Sequence, residues 1–264
     1  MDWLVRTIEA EIIPRLMATY RGQEGLPAGG AGGLRVDPAE VRDFTNIAVE
    51  RDAAACRNFI ESVRHRGVSL ATIYLELISP AARQLDRLWA QDECDFTQIT
   101  VALWRMQQVL HDLSPSFQED NVHFQGKSHS IMLMPVPGSQ HTLGILMVAE
   151  FFRRAGWRVW GEPAASRDTL LENIHEESFD IAGVSIGSEV HVAPLNELIA
   201  DLRGQSKNPG LRIMVGGPLF SRHPELARQV HADFFCTDAE QAVSQAECMI
   251  GSLNAWPRQA MTTP

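Results

Sequence analysis

The stretch DIAGVSIG (180–187) decides the architecture. After Asp180 it carries no charge, is rich in β-branched residues and closes on a glycine. Such a continuous apolar run is a strand buried on both faces, as a parallel sheet covered by helices requires. The pattern continues on either side. Upstream, SIMLMPV (130–136) is a second apolar run, followed by a Gly-containing loop, a helix over 143–155, the alternating strand WRVWG (157–161) and a helix over 167–177. Downstream come a helix over 191–203, the strand LRIMVGG (211–217), a short helix over 222–230, the strand DFFCT (233–237) and a last helix over 238–252. Strict alternation of strand and helix predicts a flavodoxin-like, doubly wound parallel α/β sheet over residues 129–252.

The preceding half has a different period. Asp37-Pro38 is a cap followed by a first-turn proline, and it opens a helix over 38–64. Further helices are expected over 69–91, with Pro80 a kink or break, and over 96–113, ending before Ser114-Pro115. No strand signal falls between 38 and 114, so this part reads as a helical bundle. Residues 1–20 form an amphipathic helix by the spacing of Trp3, Leu4, Ile8, Ile12, Ile13, Leu16 and Met17. The Gly-rich linker 21–37 tethers it. Residues 115–128 are expected to link the two parts, and 253–264 to form a tail.

Composition excludes several classes of function. Of the 264 residues, 45% are hydrophobic and 21% charged, which a wholly disordered chain would not combine. The net charge of −10 falls equally on the two halves. A uniformly acidic surface repels phosphates and anionic lipid, so neither direct nucleic-acid binding nor membrane attachment is expected. The basic group Arg51, Arg57, Arg64, His65 and Arg66 is interrupted by Asp52 and Glu61 and reads as a solvated helix face. Cys56, Cys94, Cys236 and Cys248 lack the spacing of a zinc site or a disulfide framework. With no signal peptide or apolar run of spanning length, the cytoplasm is the expected location.

In a doubly wound sheet, ligands bind beyond the carboxyl ends of the strands. After the first strand comes Pro137-Gly138-Ser139-Gln140-His141-Thr142-Leu143-Gly144; after the third, Ser185-Ile186-Gly187-Ser188; after the fourth, Gly216-Gly217-Pro218. Taken singly, a loop histidine is ordinarily solvated, a glycine pair is a turn and a serine is a cap. Together they bring a metal-ligating imidazole, small hydroxyls and glycines to one sheet edge.

On these residues the chain resembles the cobalamin-binding domain of corrinoid methyltransferases, mutases and light-sensing regulators, whose pattern is D-x-H-x-x-G, S-x-L and G-G. The corresponding elements are Ser139-Gln140-His141-Thr142-Leu143-Gly144, Ser185-Ile186-Gly187 and Gly216-Gly217. The resemblance implies that His141 is the lower axial ligand of cobalt, that Ser185 bonds the displaced benzimidazole, and that Gly187, Gly216 and Gly217 leave room for the nucleotide tail. Ser139 stands where the family has an aspartate, and a hydroxyl is the weaker partner for a ligating imidazole. Gly187 replaces the family's leucine. In the bundle, VALWRMQQVLH (101–111) resembles the helix that caps the cofactor, with Trp104 a candidate lid and Leu103, Met106, Val109 and Leu110 a core stripe. The alternative for Trp104 is a core position.

CarH-type adenosylcobalamin photoreceptors carry a Glu-His pair about ten residues beyond this tryptophan, where this chain has Ser114-Pro115. That points to a small upper ligand, as in hydroxo- or aquocobalamin. The whole layout, including LWRMQQVLHDLS and PGSQHTLG, resembles the AerR/PpaA antirepressors of photosynthetic purple bacteria. That resemblance implies a non-enzymatic, light-responsive regulator whose partner is a photosystem repressor of the CrtJ/PpsR type. Three alternatives stand beside it. One is a heme sensor on the same fold, with His111, His123, His129 or His191 as a second ligand. The others are a corrinoid carrier for a methyltransferase and an interaction module without a tetrapyrrole.

Overall fold

The computed structural model describes residues 34–119, 129–137, 139, 142–162 and 165–254. The expected 1–20 helix, most of the Gly-rich segment, residues 120–128 and 255–264, and Gly138, Gln140 and His141 lie outside the described residues. The described residues from Arg35 onward form one compact unit.

The helical part opens with α1 (Pro38–Glu50). Asp37 accepts from Ala39 N (2.7 Å), Glu40 reaches back to Asp37 N (2.9 Å), and Pro38 occupies the first turn. The helix expected over 38–64 is in fact two. Arg51 is extended, and Asp52 caps α2 (Ala53–His65) through Ala55 N at 2.8 Å. A short carboxylate that satisfies the backbone donors of a new helix outcompetes continuation of the old one. Ser69 caps α3 (Leu70–Thr72), which runs unbroken into a π-helical segment, Ile73–Ile78, and then α4 (Ser79–Ala90). Pro80 therefore does not break the chain; the widened turns before it absorb its missing donor and its ring.

The last helix, α5 (Phe96–Glu119), does not end before Ser114-Pro115 but continues through Pro115, so residues 115–119 are helix and not linker. Tertiary contacts hold those final turns. Phe117 is fully buried and stacks on Tyr74 at 4.5 Å, while Ser114 and Gln118 bond to a neighbouring helix described below.

The second part alternates as expected. The strands are β1 (Ser130–Pro135), β2 (Arg158–Gly161), β3 (Ile181–Ser185), β4 (Arg212–Gly216) and β5 (Phe234–Cys236). Between and after them run α6 (Leu143–Arg154), α7 (Arg167–Glu176), α8 (Val192–Gln205), α9 (Pro218–Arg222) and α10 (Ala239–Asn254). The helix expected over 222–230 lies earlier, as α9, and His223-Pro224 turns the chain into a 3₁₀ segment, Pro224–Gln229. All strand pairs are parallel, in the order β2-β1-β3-β4-β5. The chain leaves β1 toward one side and returns to β3 on the other, which opens a crevice at the carboxyl ends of β1 and β3.

Three apolar clusters hold the unit together. One face of the sheet packs Met132, Met134, Val184 and Val215 against α7, α8 and α9. The other packs Ile131, Leu133, Ile181 and Met214 against α6 and α10. The third is the bundle core, and it extends onto Leu143, Met147 and Phe151 of α6. Helix α6 is thus apolar on two sides. Ile145, Ala149 and Phe152 face the sheet, and Leu143, Met147 and Phe151 face the bundle. The basic group on α2 is largely neutralised by Arg57–Asp112 (2.6 Å), Arg64–Glu61 (2.8 Å) and Arg66–Glu40 (2.5 Å). Among the described residues no helix is long and apolar enough to cross a membrane.

Candidate functional site

The strand register brings the predicted loops to one edge. Pro135, Ser185, Gly216 and Cys236 are successive partners across β1, β3, β4 and β5. The segments that leave these positions therefore start side by side, about 4.8 Å apart from strand to strand. After β1 the chain turns tightly, with Ser139 N donating to Val136 O at 2.9 Å. His141 and Gln140 lie outside the described residues, but their flanks are placed: Ser139 at the end of β1, and Thr142 and Gly144 at the start of α6.

Thr142 does not cap its own helix. Its Oγ1 instead accepts from Gln107 Nε2 of α5 at 3.0 Å. A side chain on Gly144 would meet nothing within 4 Å, so the first turn of α6 borders open space. Trp104 lies one turn before Gln107 on the same face of α5. Further along, Ser114 and Gln118 of α5 contact Glu150 of α6, so the two helices run side by side in the same direction. Trp104 thus sits on α5 one turn before the residue that bonds the amino end of α6. Its ring is 54% exposed, so the core alternative for Trp104 is wrong, while Met106, Val109 and Leu110 of the same stripe are buried.

The glycines behave differently from expectation. Gly217 has φ +109°, and a Cβ there would stand 2.4 Å from Ile186 O and 3.0 Å from Ser185 Oγ. A Cβ on Gly216 would stand 3.2 Å from both the carbonyl oxygen and Sγ of Cys236. At these two positions the missing side chains admit the protein's own neighbouring backbone and Cys236. Gly187 is buried, and its carbonyl accepts from Arg222 Nη2 at 3.0 Å. The Ser185 hydroxyl lies beside Gly217, 3.0 Å from where a Cβ of that residue would stand. Burial pushes the Cys236 thiol up to about 12, with Asp238 adding to the effect, so it stays protonated at neutral pH.

Of the candidate second histidines, His129 is at the amino end of β1, near Asp180 and packed on Trp157, on the opposite edge from the site. His111 is exposed on α5, and His123 lies outside the described residues. His191 follows β3, and its buried Nδ1 has no partner among the described residues. No group of three or more His, Cys, Asp or Glu positioned for a metal ion occurs among those residues.

Two side chains of this region were not singled out from sequence. Gln107 was foreshadowed only by its i+3 spacing from Trp104. Glu150, 8% exposed between Met147 and Phe151, carried no signal, because a glutamate in a helix ordinarily faces water. Burial, with the Glu150 carboxylate adding to it, holds the nearby Tyr74 phenol well above its ordinary value.

Comparison with known proteins agrees with this geometry. Residues 130–247 match a B12 binding domain family, and residues 41–113 match a second B12 binding domain family. An uncharacterised 20.5 kDa protein in the bchF-crtJ intergenic region of Rhodobacter capsulatus is 32% identical over 176 residues, spanning 67% of this chain and 89% of that protein. The monomethylamine corrinoid protein of Methanosarcina barkeri superimposes with a TM-score of 0.65 at 14% identity, over 82% of this chain and 100% of that one, and so shares the fold. A cobalamin-binding protein from Desulfitobacterium hafniense DCB-2 gives a TM-score of 0.43 at 17% identity, over 79% and 97% of the two chains. With both parts matched to B12 binding domains and a relative of this identity and coverage, the chain belongs to the family of AerR-like cobalamin-binding proteins.

Proposed function

We propose that the chain binds cobalamin in its hydroxo or aquo form between the carboxyl edge of the sheet and α5. In this reading it serves as a light-responsive, non-enzymatic regulator that antagonises a transcriptional repressor of the CrtJ/PpsR type. The observation that carries the binding reading is the exposed Trp104, one helical turn before Gln107, whose side chain bonds Thr142 at the amino end of α6. An exposed tryptophan so near the ligand-binding edge of a doubly wound sheet is a surface suited to being covered.

The residues present fit the group in part. His141 would ligate cobalt, its imidazole suiting a borderline transition metal. Ser139 would hold the imidazole through a hydroxyl, a looser partner than a carboxylate. Thr142 and Gly144 would border the ring system, Trp104 would cover it, and Ser185 would offer its hydroxyl to the tail. Gly216 and Gly217 would shape the edge without lining a channel. When bound, cobalamin supplies a cobalt centre whose upper ligand exchanges. The chain's part is to bind it, exclude water with Trp104 and transmit occupancy through α5. The regulatory reading is supported by the relative's location in a bchF-crtJ intergenic region, by the even acidity that disfavours direct DNA contact, and by the direct packing of the bundle on α6.

Hydroxocobalamin titration of the full chain, followed by its absorption spectrum in darkness and under illumination, tests the binding. A saturable band shift that disappears in His141→Ala is expected; no shift, or the same shift in that variant, refutes the ligation. Competition with hemin distinguishes the two tetrapyrroles. Binding of a purified CrtJ/PpsR-type repressor that responds to cobalamin is expected, and its absence refutes the regulatory part.

A further inference from the structure

Helix α5 lies on α6 along a seam that is apolar apart from the Gln107–Thr142 bond at its start and one place further along. Met106, Val109, Leu110, Leu113 and Phe117 share one apolar cluster with Leu143, Met147 and Phe151, and Phe117 packs on Phe151 at 5.0 Å. Into this seam α6 places Glu150. Its Oε2 accepts from Ser114 Oγ at 2.6 Å and Gln118 Nε2 at 2.8 Å, its Oε1 accepts from Arg153 Nη1 at 2.6 Å, and its backbone carbonyl accepts from Gln118 Nε2 at 3.2 Å.

Apolar contacts do not specify register. Sliding α5 by one turn, about 5.4 Å, would set similar side chains against one another again. The polar contacts do specify it. After such a slide the buried Glu150 would lose both α5 donors, and the half-buried Ser114 and Gln118 would lose their acceptor, where unpaired polar groups are unfavourable. A buried polar group that selects one register among several apolar ones is the best-attested use of such a feature. Register matters here because the same helix carries Gln107 and Trp104. A one-turn slip would break the Gln107–Thr142 bond and move the Trp104 ring by more than its own thickness.

We infer that Glu150 is a positioning residue: through Ser114 and Gln118 it sets the register of α5 on α6, and through α5 it seats Trp104 near the amino end of α6. The consequence for ligand binding rests on the cobalamin reading above; the positioning itself does not.

The test uses the full chain labelled with 5-fluorotryptophan, without cofactor. The Trp104 ¹⁹F resonance is assigned by its disappearance in Trp104→Phe. Glu150→Leu keeps the volume and removes every acceptor of the side chain. Its Trp104 resonance is expected to shift or split while those of Trp157 and Trp160, inside the α/β part, stay in place. Glu150→Gln retains one acceptor for α5 and is expected to keep the wild-type resonance. The pair Ser114→Ala/Gln118→Ala, which leaves α6 untouched, is expected to reproduce the Glu150→Leu effect and decides the matter should Glu150→Leu fail to fold. If only about a tenth of molecules keep the seated register, the hydroxocobalamin Kd rises about tenfold in the same variants. A Trp104 resonance unmoved in both Glu150→Leu and the α5 pair overturns the inference. A moved resonance in a chain that never binds hydroxocobalamin upholds the positioning and refutes only the cobalamin reading.

Discussion

Gly217 is the residue of the candidate edge least able to accept a side chain, and Gly217→Ala measures why. Its φ of +109° is a backbone conformation that an L side chain adopts at a cost of about 1–3 kcal/mol. The added methyl would stand 2.4 Å from the Ile186 carbonyl oxygen and 2.9 Å from its nitrogen. Neither can yield freely, because Ile186 N donates to Gly216 O at 3.0 Å and Ile186 O accepts from Leu219 N at 3.4 Å. Relief would require the β3–β4 edge to move, an overpacking cost of about 1–3 kcal/mol. The expected destabilisation is therefore on the order of 2–6 kcal/mol. For a unit of this size it corresponds to a Tm lower by roughly 4–24 °C. Urea unfolding of the full chain without cofactor, followed by far-UV circular dichroism, gives the comparison provided the m-value is unchanged. A Gly217→Ala variant within about 1 kcal/mol of wild type would refute the reasoning. It would return Gly217 to the role that the family resemblance implied, making room for a ligand's tail.

Three further outcomes follow from the same geometry. Gly144→Ala fills space that the protein leaves empty, so it should raise stability in urea by about 0.5–1 kcal/mol yet weaken hydroxocobalamin binding; unchanged affinity would place the ligand elsewhere. Trp104→Ala should alter stability by less than about 0.5 kcal/mol, because the ring is exposed, while raising the hydroxocobalamin Kd severalfold; a stability loss well above about 1 kcal/mol would restore Trp104 to the core. Asp233 ties β4 to β5 and α8. Burial works against its charged form, but Ile213 N, Arg203 and Arg212 outweigh burial and hold its carboxyl below the ordinary aspartate range. Its stabilising contribution is thus present above the unfolded aspartate value and lost as pH falls through the lower folded value. Acid unfolding of Asp233→Asn should accordingly depend less steeply on pH below about 4, and an unaltered profile would contradict that assignment.

Much of the fold was legible because its signals are local or periodic. The predominantly apolar runs at 130–136, 180–187 and 211–217 mark strands buried on both faces, and Asp37-Pro38 marks a helix start, wherever they occur. The misread boundaries each involve competition between a local signal and a less conspicuous one. At Arg51-Asp52 the cap was present in the sequence, but the apolar period ran across it. At Ser114-Pro115 the proline was a fair stop signal, overridden because Phe117 and Gln118 find partners on other elements. The loops of the candidate site could be gathered at one edge once the alternation of strand and helix was recognised, since a doubly wound sheet puts every βα loop there.

What the sequence by itself determined is the order and type of the elements, the parallel sheet, and which loops gather at the carboxyl edge of the strands. These follow from periodicity, turn chemistry and the handed topology of βαβ units, all of which act over neighbouring residues. Only the tertiary structure decided that Trp104 is exposed, that Gly216 and Gly217 make way for the protein's own strands, and that Glu150 is buried and bound by α5. Those facts depend on which surfaces meet across long stretches of chain. Helix α6 has two apolar sides, one for the sheet and one for the bundle, and no property of residues 143–154 alone says which of its polar side chains the second contact will cover.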